Sequence, residues 1–521
     1  MSDASIARNR FGLGARPGED AGSDPRKWLT GQIVAFDPRP QAIAAQASSA
    51  QVAGQLADFY ERQREIRQAE GPRRQQPQPV TPAKPSGAQP AMAEGTAMQE
   101  GMAPAMQEGV MPVRGRRAAA VGAAGQPQYQ GEDAAMIARR EARRVQQQAY
   151  VGMVSARALT AITSPTPFAE RLVHFWANHF AVSAEKLELV GLSGTMEFEA
   201  IRPHVMGKFG DMLNAVERHP AMLLYLDQAV SVGPNSAVAQ RQRGRRSGLN
   251  ENLAREIMEL HTLGVRSVYS QADVTEFARA MTGFTVAGIG RGPGARQTDG
   301  LPGSFYFADR LHEPGTRTIL GRQWSEAGEG QAGAVLDYLA THPATAKHIA
   351  TKLARHFASD DPPAPLVARL EKAFLSSGGD LPTVYRALIA SPECWAPTPA
   401  KFKSPWEWSI SAMRALGTQQ VQPNAVNGLM GQLGQPTWKP GSPAGWDDVA
   451  GAWAGPDAVM RRVEAAERMA ARARDTIDAR ARAAELFPGT LTPATAQSIA
   501  RAESPGQGLA LMLVSPEFMR R

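Results

Sequence analysis

The sequence predicts a mostly α fold: a multi-helix globular bundle with one small β-hairpin or loop excursion and a long disordered low-complexity insertion. Three observations carry this. Apolar residues make up 43% of the 521 residues, enough for a sizeable core. They recur at helical spacing in one segment after another, which is the mark of helices that bury one face. Between residues 70 and 130 that pattern gives way to QQPQPVTPAKPSGAQPAMAEGTAMQEGMAPAMQEG, with the near-repeat AMAEG, AMQEG, AMQEG. Such a stretch buries too little apolar surface to offset chain entropy.

In chain order, ARNRFGLG leads into a turn at Pro17 and Gly18, then a helix from Pro25 and another across 41–69. This 1–69 segment is expected to pack on a main domain spanning 131–521, with a lobe boundary near residue 400. Within that domain, helical patterns run over 132–162, 166–182, 196–216, 219–230, 249–263, 271–283, 329–340 and 343–358. They continue over 364–376, 381–391, 403–416, 457–486 and 493–519. His219-Pro220 and His342-Pro343 fit helix starts, because proline suits the first helical position. Strand signals are confined to 284–324, where VAGIGRGPG and FYFADRLHEPGTRTILG fit a short hairpin. ALIASPECW and LMLVSPEFM each place Ser-Pro after an aliphatic run, where proline stops a helix.

Composition narrows the function classes. The single cysteine, Cys394, allows neither an internal disulfide nor a multi-cysteine metal site. No apolar run is long enough for a transmembrane helix, and the N-terminal stretch lacks a secretory apolar core, so the default address is cytoplasmic. The net charge of +7 comes largely from local runs: PRRQQ at 72–76, VRGRR at 113–117, RREARR at 139–144 and RQRGRR at 241–246. These read as solvated tethers and loops. Without interleaved aromatics they make nucleic-acid binding a minor alternative. There is no GxxxxGK[ST] loop, GIGRGPG lacks the GxGxxG spacing, HEPGT at 312–316 is not HExxH, and GLSGT at 191–195 falls one residue short of a nucleophile elbow.

The candidate site starts from GLNENLAREIMELHTLGV at 248–265. Asn250 suits the N-cap and Gly264 the left-handed residue that ends the helix. Wound at about 100° per residue, Leu253, Ile257 and Leu260 define the buried face. Glu251, Arg255 and Glu259 form a solvated ladder on the opposite side. Glu256 and His261 flank the apolar face from either edge, about 140° apart, so a shared metal requires ligands from neighbouring helices. A carboxylate held there is costly unless it is paired, protonated or bound to a cation. It therefore reads either as a structural Glu–Arg or Glu–His tie or as a ligand or general base. In SPTPFAERLVHFWANHFAVS at 164–183, His179 falls in the middle of the face formed by Phe168, Leu172 and Phe175. Asn178 borders that face and His174 lies opposite. His179 fits either a satisfied core residue or a site residue.

Asn178, Asn252 and His312 join His179, Glu256 and His261 as the candidate catalytic set. His179, Glu256 and His261 are the candidate metal ligands, and no particular cofactor is implied. His356 projects onto the face of Ile349 and Leu353, where packing is its expected job. Trp438, Trp446 and Trp453, set among prolines and glycines, suit either a groove for a sugar or aromatic ring or a plug at the end of the bundle.

With these residues in place, the chain resembles a bacterial family catalogued as domain of unknown function 1800. The resemblance rests on NRFGLGARPGE at 9–19, RLVHFWANHFAVS at 171–183, HPAMLLYLD at 219–227, GPNS at 233–236, the 248–265 stretch and YSQADVTEFARAMTGF at 269–284. It continues through FADRLHEPGTRTILG at 307–321, HPATAKHIATKLARHF at 342–357, KFKSPWEW at 401–408, GQPTWKPGSPAGW at 434–446 and the SPEFMRR end. The resemblance implies a largely helical fold and brings no activity with it. Ala177 stands where many members carry a histidine, which weakens a metal site using that position. Genes of the family often neighbour those of phosphatase- or sulfatase-like proteins bearing twin-arginine signals, which implies such a partner and co-export with it.

Two function classes follow. The first is an enzyme, metal-assisted or not in its chemistry, with a buried His/Glu site between helices 166–182 and 249–263. The second is a non-catalytic scaffold or accessory binding the phosphatase- or sulfatase-like partner.

Overall fold

The computed structural model describes residues 1–70, 134–241, 248–290, 300–473 and 476–521. The low-complexity insertion, the basic runs at 72–76 and 113–117, most of 241–246 and the end of GIGRGPG lie outside these residues. RREARR lies within them, on the solvated first turns of the Ala134–Thr163 helix.

The described chain is helical apart from two short antiparallel hairpins, both inside the 284–324 stretch. Phe284–Val286 pairs with Phe305–Phe307, and Arg317–Ile319 pairs with Arg322–Trp324. The second hairpin turns through Leu320 and Gly321, both at positive φ (52° and 71°), as a tight two-residue turn requires. Leu320 tolerates this conformation because its N–H is held by Asp273 Oδ1 at 2.7 Å.

Several long helical patterns break where local capping competes with propagation. The 457–486 pattern splits into Pro456–Arg472 and Ala479–Leu486, because the Asp478 carboxylate accepts from the N–H groups of Arg480 and Ala481 and starts a new helix. The 493–519 pattern splits at Ser504-Pro505 and Ser515-Pro516, where each serine caps the helix that its proline opens. The 196–216 pattern is interrupted by a π-helical turn at Glu197–Ile201 and a 3-10 turn at Arg202–His204 before Phe209–Glu217.

The core falls into two main clusters. One gathers residues from Ile6 to Trp395, around Phe168, Trp176, Phe209, Leu353 and Phe357. The other joins the Ala134–Thr163 helix to the helices beyond Phe402, around Tyr150, Trp408, Ile410 and Leu513. Buried arginines stitch the N-terminal segment to both. Arg10 donates to the carbonyls of Cys394 (2.7 Å) and Thr398 (2.9 Å). Arg414, fully buried, donates to the carbonyls of Gly14 (2.8 Å), Ala161 and Ile162 (both 3.2 Å), and pairs with Glu19 at 2.7 Å. Gly14 sits at φ 100°, and a Cβ there would lie 2.7 Å from Ser411 Oγ, so the GLG turn has room only for glycine.

Arg414→Met keeps the volume and removes all these donors. It strands the Glu19 carboxylate and three carbonyls, so the expected loss is about 3–5 kcal/mol, read as a lowered urea midpoint. A change under about 1 kcal/mol would show that the arginine does not tie the segments together.

Candidate active site

A cavity of about 350 Å³ opens where the two core clusters meet. Its walls are the Pro167–His179 helix, the Pro343–Phe357 helix, the first turn of Pro405–Ala415 and the loop from Gln435 to Val449. The first two helices run antiparallel. Arg171 Nη1 lies 3.3 Å from His356 Nε2, and eight residues along, the rings of His179 and His348 are 6.1 Å apart. His348, Lys352 and His356 follow at intervals of four, so one stripe of the second helix presents ionisable groups to the cavity.

At one end lies an ionic network. The Glu407 carboxylate takes a hydrogen bond from Arg171, lies 2.8 Å from Arg521 Nη2, and accepts from the Ser404 N–H at 2.9 Å in a capping box. His356 Nδ1 lies 2.7 Å from Asp448 Oδ2, and the buried Lys401 ammonium bridges Asp448 Oδ1 (3.1 Å) and Asp360 Oδ1 (2.6 Å). Although burial opposes it, Arg521, Arg171 and His356 hold the Glu407 carboxyl well below the usual range. Burial and the neighbouring Arg521 push Arg171 down to about 10, so it stays charged at neutral pH.

At the other end, three histidines gather. His179 Nε2–H donates to the His261 carbonyl at 3.1 Å, and His348 Nε2–H donates to the Leu260 carbonyl at 3.1 Å. His261 Nδ1 bonds Glu217 Oε1 at 2.8 Å. Gly264 (φ 92°) ends this helix as a left-handed residue, and a Cβ there would lie 3.1 Å from His348 Nδ1. Burial, aided by Lys352, lowers His179 well below the ordinary histidine value and His348 to about 4. Lys352 stands between the two ends. Burial pushes its ammonium down to about 8 despite the Asp448 charge.

The wall opposite the helices is a pinned loop. Asn178 Nδ2 donates to the Trp446 carbonyl (2.8 Å), and its Oδ1 accepts from the Trp446 N–H (2.7 Å). Gly445 (φ 82°) makes this clamp possible, since a Cβ would fall 2.3 Å from the Asn178 carbonyl oxygen. Trp438, at φ 49°, donates from Nε1 to Glu197 Oε2 (2.9 Å), and its carbonyl accepts from the Ala184 N–H (2.8 Å). Trp438 and Trp446 line the cavity, whereas Trp453 packs behind them.

Of the six residues singled out in the sequence, His179 and Asn178 line this cavity. His261 lies directly behind His179, fully buried. Its position reflects a π-helical turn, Ile257–His261, which underwinds the chain and rotates His261 deeper into the core than a regular helix would. Glu256, just before that turn, is half-buried and does not line this cavity, and the carboxylate that meets His261 is Glu217. Asn252 is an exposed first-turn residue, held by Asn250 Oδ1 through its N–H at 3.0 Å. His312 Nδ1 bonds the Thr282 carbonyl at 2.9 Å, away from the cavity. His179, Glu256 and His261 thus do not converge as a ligand set. Among the described residues no three His, Cys, Asp or Glu side chains are placed to hold a metal ion.

The chain matches the family model described as protein of unknown function, DUF1800, over residues 6–520, and it belongs to that family. No curated protein and no solved structure matches it. Among the described residues, no helix is long and apolar enough to cross a membrane.

The buried histidines set a pH signature. His174, His179, His348 and His356 all have lowered values, with burial the largest cause in each. The folded chain keeps them neutral where the unfolded chain takes up protons, so stability is present above about pH 6.5 and falls as the pH drops through that value. Urea midpoints should therefore decline between pH 7 and 5, with His179 alone contributing up to roughly 1.4 kcal/mol per pH unit. A flat profile down to the carboxylate range would contradict neutral burial of these rings.

Proposed function

We propose that the chain is an enzyme that moves protons on a small organic molecule held in this cavity, with Lys352 and His179 as the acid–base pair. The observation that carries the reading is the state of these two groups beside a wall whose buried carboxylates, Glu407 and Asp448, are already paired. His179 commits Nε2–H to the His261 carbonyl, which leaves Nδ1 as a lone-pair acceptor, buried and without a partner. Lys352 has no hydrogen-bond acceptor among the described residues and lines the same cavity. A neutral imidazole beside an amine that titrates near the working pH forms a base and an acid in reach of one ligand, the arrangement general acid–base catalysis requires. The engaged groups serve the pair. Glu217 and His261 hold the carbonyl that orients His179, and Arg171, Glu407, His356 and Asp448 keep the far wall rigid.

The test joins a titration to turnover. Reductive methylation with isotope-labelled methyl groups should give a lysine signal titrating near pH 8 that is absent from Lys352→Met, distinct from that of Lys403, which burial pushes down to about 7. Turnover on a panel of small esters, amides and phosphate esters should fall by about a hundredfold or more in both Lys352→Met and His179→Gln. A Lys352 signal in the ordinary lysine range, or turnover that survives both substitutions, would refute the reading.

A further inference from the structure

The cavity has a second chemical bias, toward the Arg171 end. Of the carboxylates in its wall, Glu407 is paired with Arg171 and Arg521 and Asp448 with His356 and Lys401, while Asp447 is exposed to solvent. Several donors in the wall have no acceptor. Arg171 Nη2 is buried without an acceptor. Arg355 spends only Nε, on the Asp360 carbonyl at 3.3 Å. His174 is more specific. The Trp406 indole N–H, which can only donate, bonds His174 Nδ1 at 3.1 Å. Burial and three nearby arginines keep the ring neutral, so its proton sits on Nε2, which is buried and has no partner. Leaving Arg171 Nη2 and His174 Nε2 buried and unmatched is costly, and an oxyanion is the group best suited to take hydrogen bonds from both.

We propose that the Arg171–His174–Arg355 end is an oxyanion subsite, and that the ligand carries a carboxylate or phosphate there while its apolar part lies along Trp406, Trp438 and Trp446. This rests on the acid–base reading above and adds the substrate class to it. The dimensions agree. His348 and His356 are separated by roughly 12 Å of helix rise, so an anion held near His356 extends its body toward Lys352 and His179. Arg157, 4.1 Å over the Trp406 ring, stiffens that aromatic wall.

Calorimetric titration of the full chain with phenylphosphonate, phenylacetate and the neutral phenylacetamide tests this. Both anions should bind saturably and the amide should not. Whichever anion binds more tightly identifies the natural group as phosphate or carboxylate. Arg355→Gln and His174→Gln should each weaken anion binding about ten- to hundredfold, the worth of one charge-assisted hydrogen bond. Equal binding of amide and anions, no saturable binding of either anion, or unchanged affinity in both variants overturns the subsite. The Lys352 titration, read in the unsubstituted chain beside the binding data, separates the two claims. Anion binding that persists beside an ordinary Lys352 titration keeps the subsite and removes the acid–base reading, whereas a low Lys352 titration without anion binding removes the subsite alone.

Discussion

The Glu407 carboxylate is the constraint on which the rest of the molecule hangs. It sits in the first turn of the Pro405–Ala415 helix, closes the capping box that starts that helix, and neutralises two buried guanidiniums from distant parts of the chain, Arg171 and Arg521. Arg171 also reaches the Gly12 carbonyl at 2.7 Å, and Arg521 reaches the His356 carbonyl at 2.7 Å. One carboxylate therefore fixes the N-terminal turn, the helices carrying His179 and His356, and the last residue. Two buried cations without it would cost several kcal/mol each, more than a marginally stable chain can absorb. The desolvation of this network is tolerable because Glu407 and Asp448 each take more than one donor.

The same arithmetic explains why the cavity persists. Interiors close on apolar voids but not on groups that need partners. Here the Asn178 side chain hydrogen-bonds the Trp446 backbone in both directions, Trp438 is held at a left-handed φ by two hydrogen bonds, and the Ala450 N–H is tied to Asp360 Oδ2 at 2.7 Å. The Gln435–Val449 loop is fixed at both ends and at its middle, so it spans the gap between the two clusters instead of collapsing into it. A site between rigid elements holds its groups in place before a ligand arrives.

The fold was legible where its causes are local. His219 and His342 each accept the N–H two residues on and open helices at the following proline, Gly264 closes its helix at positive φ, and the hairpins fall where strand signals stood. Long helices that break at Asp478, Ser504 and Ser515 carried their own signal in the caps, which a reading by periodicity alone passes over. The site was legible in part. His179 and Asn178 stood out because a polar residue on an apolar helix face needs an explanation. His261 was displaced by a π-helical turn that no simple winding anticipates. Glu217, Glu407, Asp448 and Arg521 become site residues only through contacts spanning from tens to hundreds of positions, which periodicity does not encode. Lys352 did leave a trace, in the four-residue spacing of His348, Lys352 and His356 beside the Ile349–Leu353 stripe.

That trace bears on how the helix divides its labour. Ile349, Leu353 and Phe357 are fully buried in the larger cluster, which fixes the rotation of the helix about its axis. With rotation fixed, the neighbouring stripe has no freedom: His348, Lys352 and His356 must face the Pro167–His179 helix, whose Arg171, His174 and His179 line the same cavity. Packing thus sets the register between two rows of ionisable groups, and the charges then decide their protonation. Lys352 is flanked by Arg355, which disfavours its charged form, and by Asp448, whose own pairing with His356 and Lys401 leaves less field to support it. An amine so placed is held near the point where it gains or loses its proton, and the cause is the apolar stripe one position away.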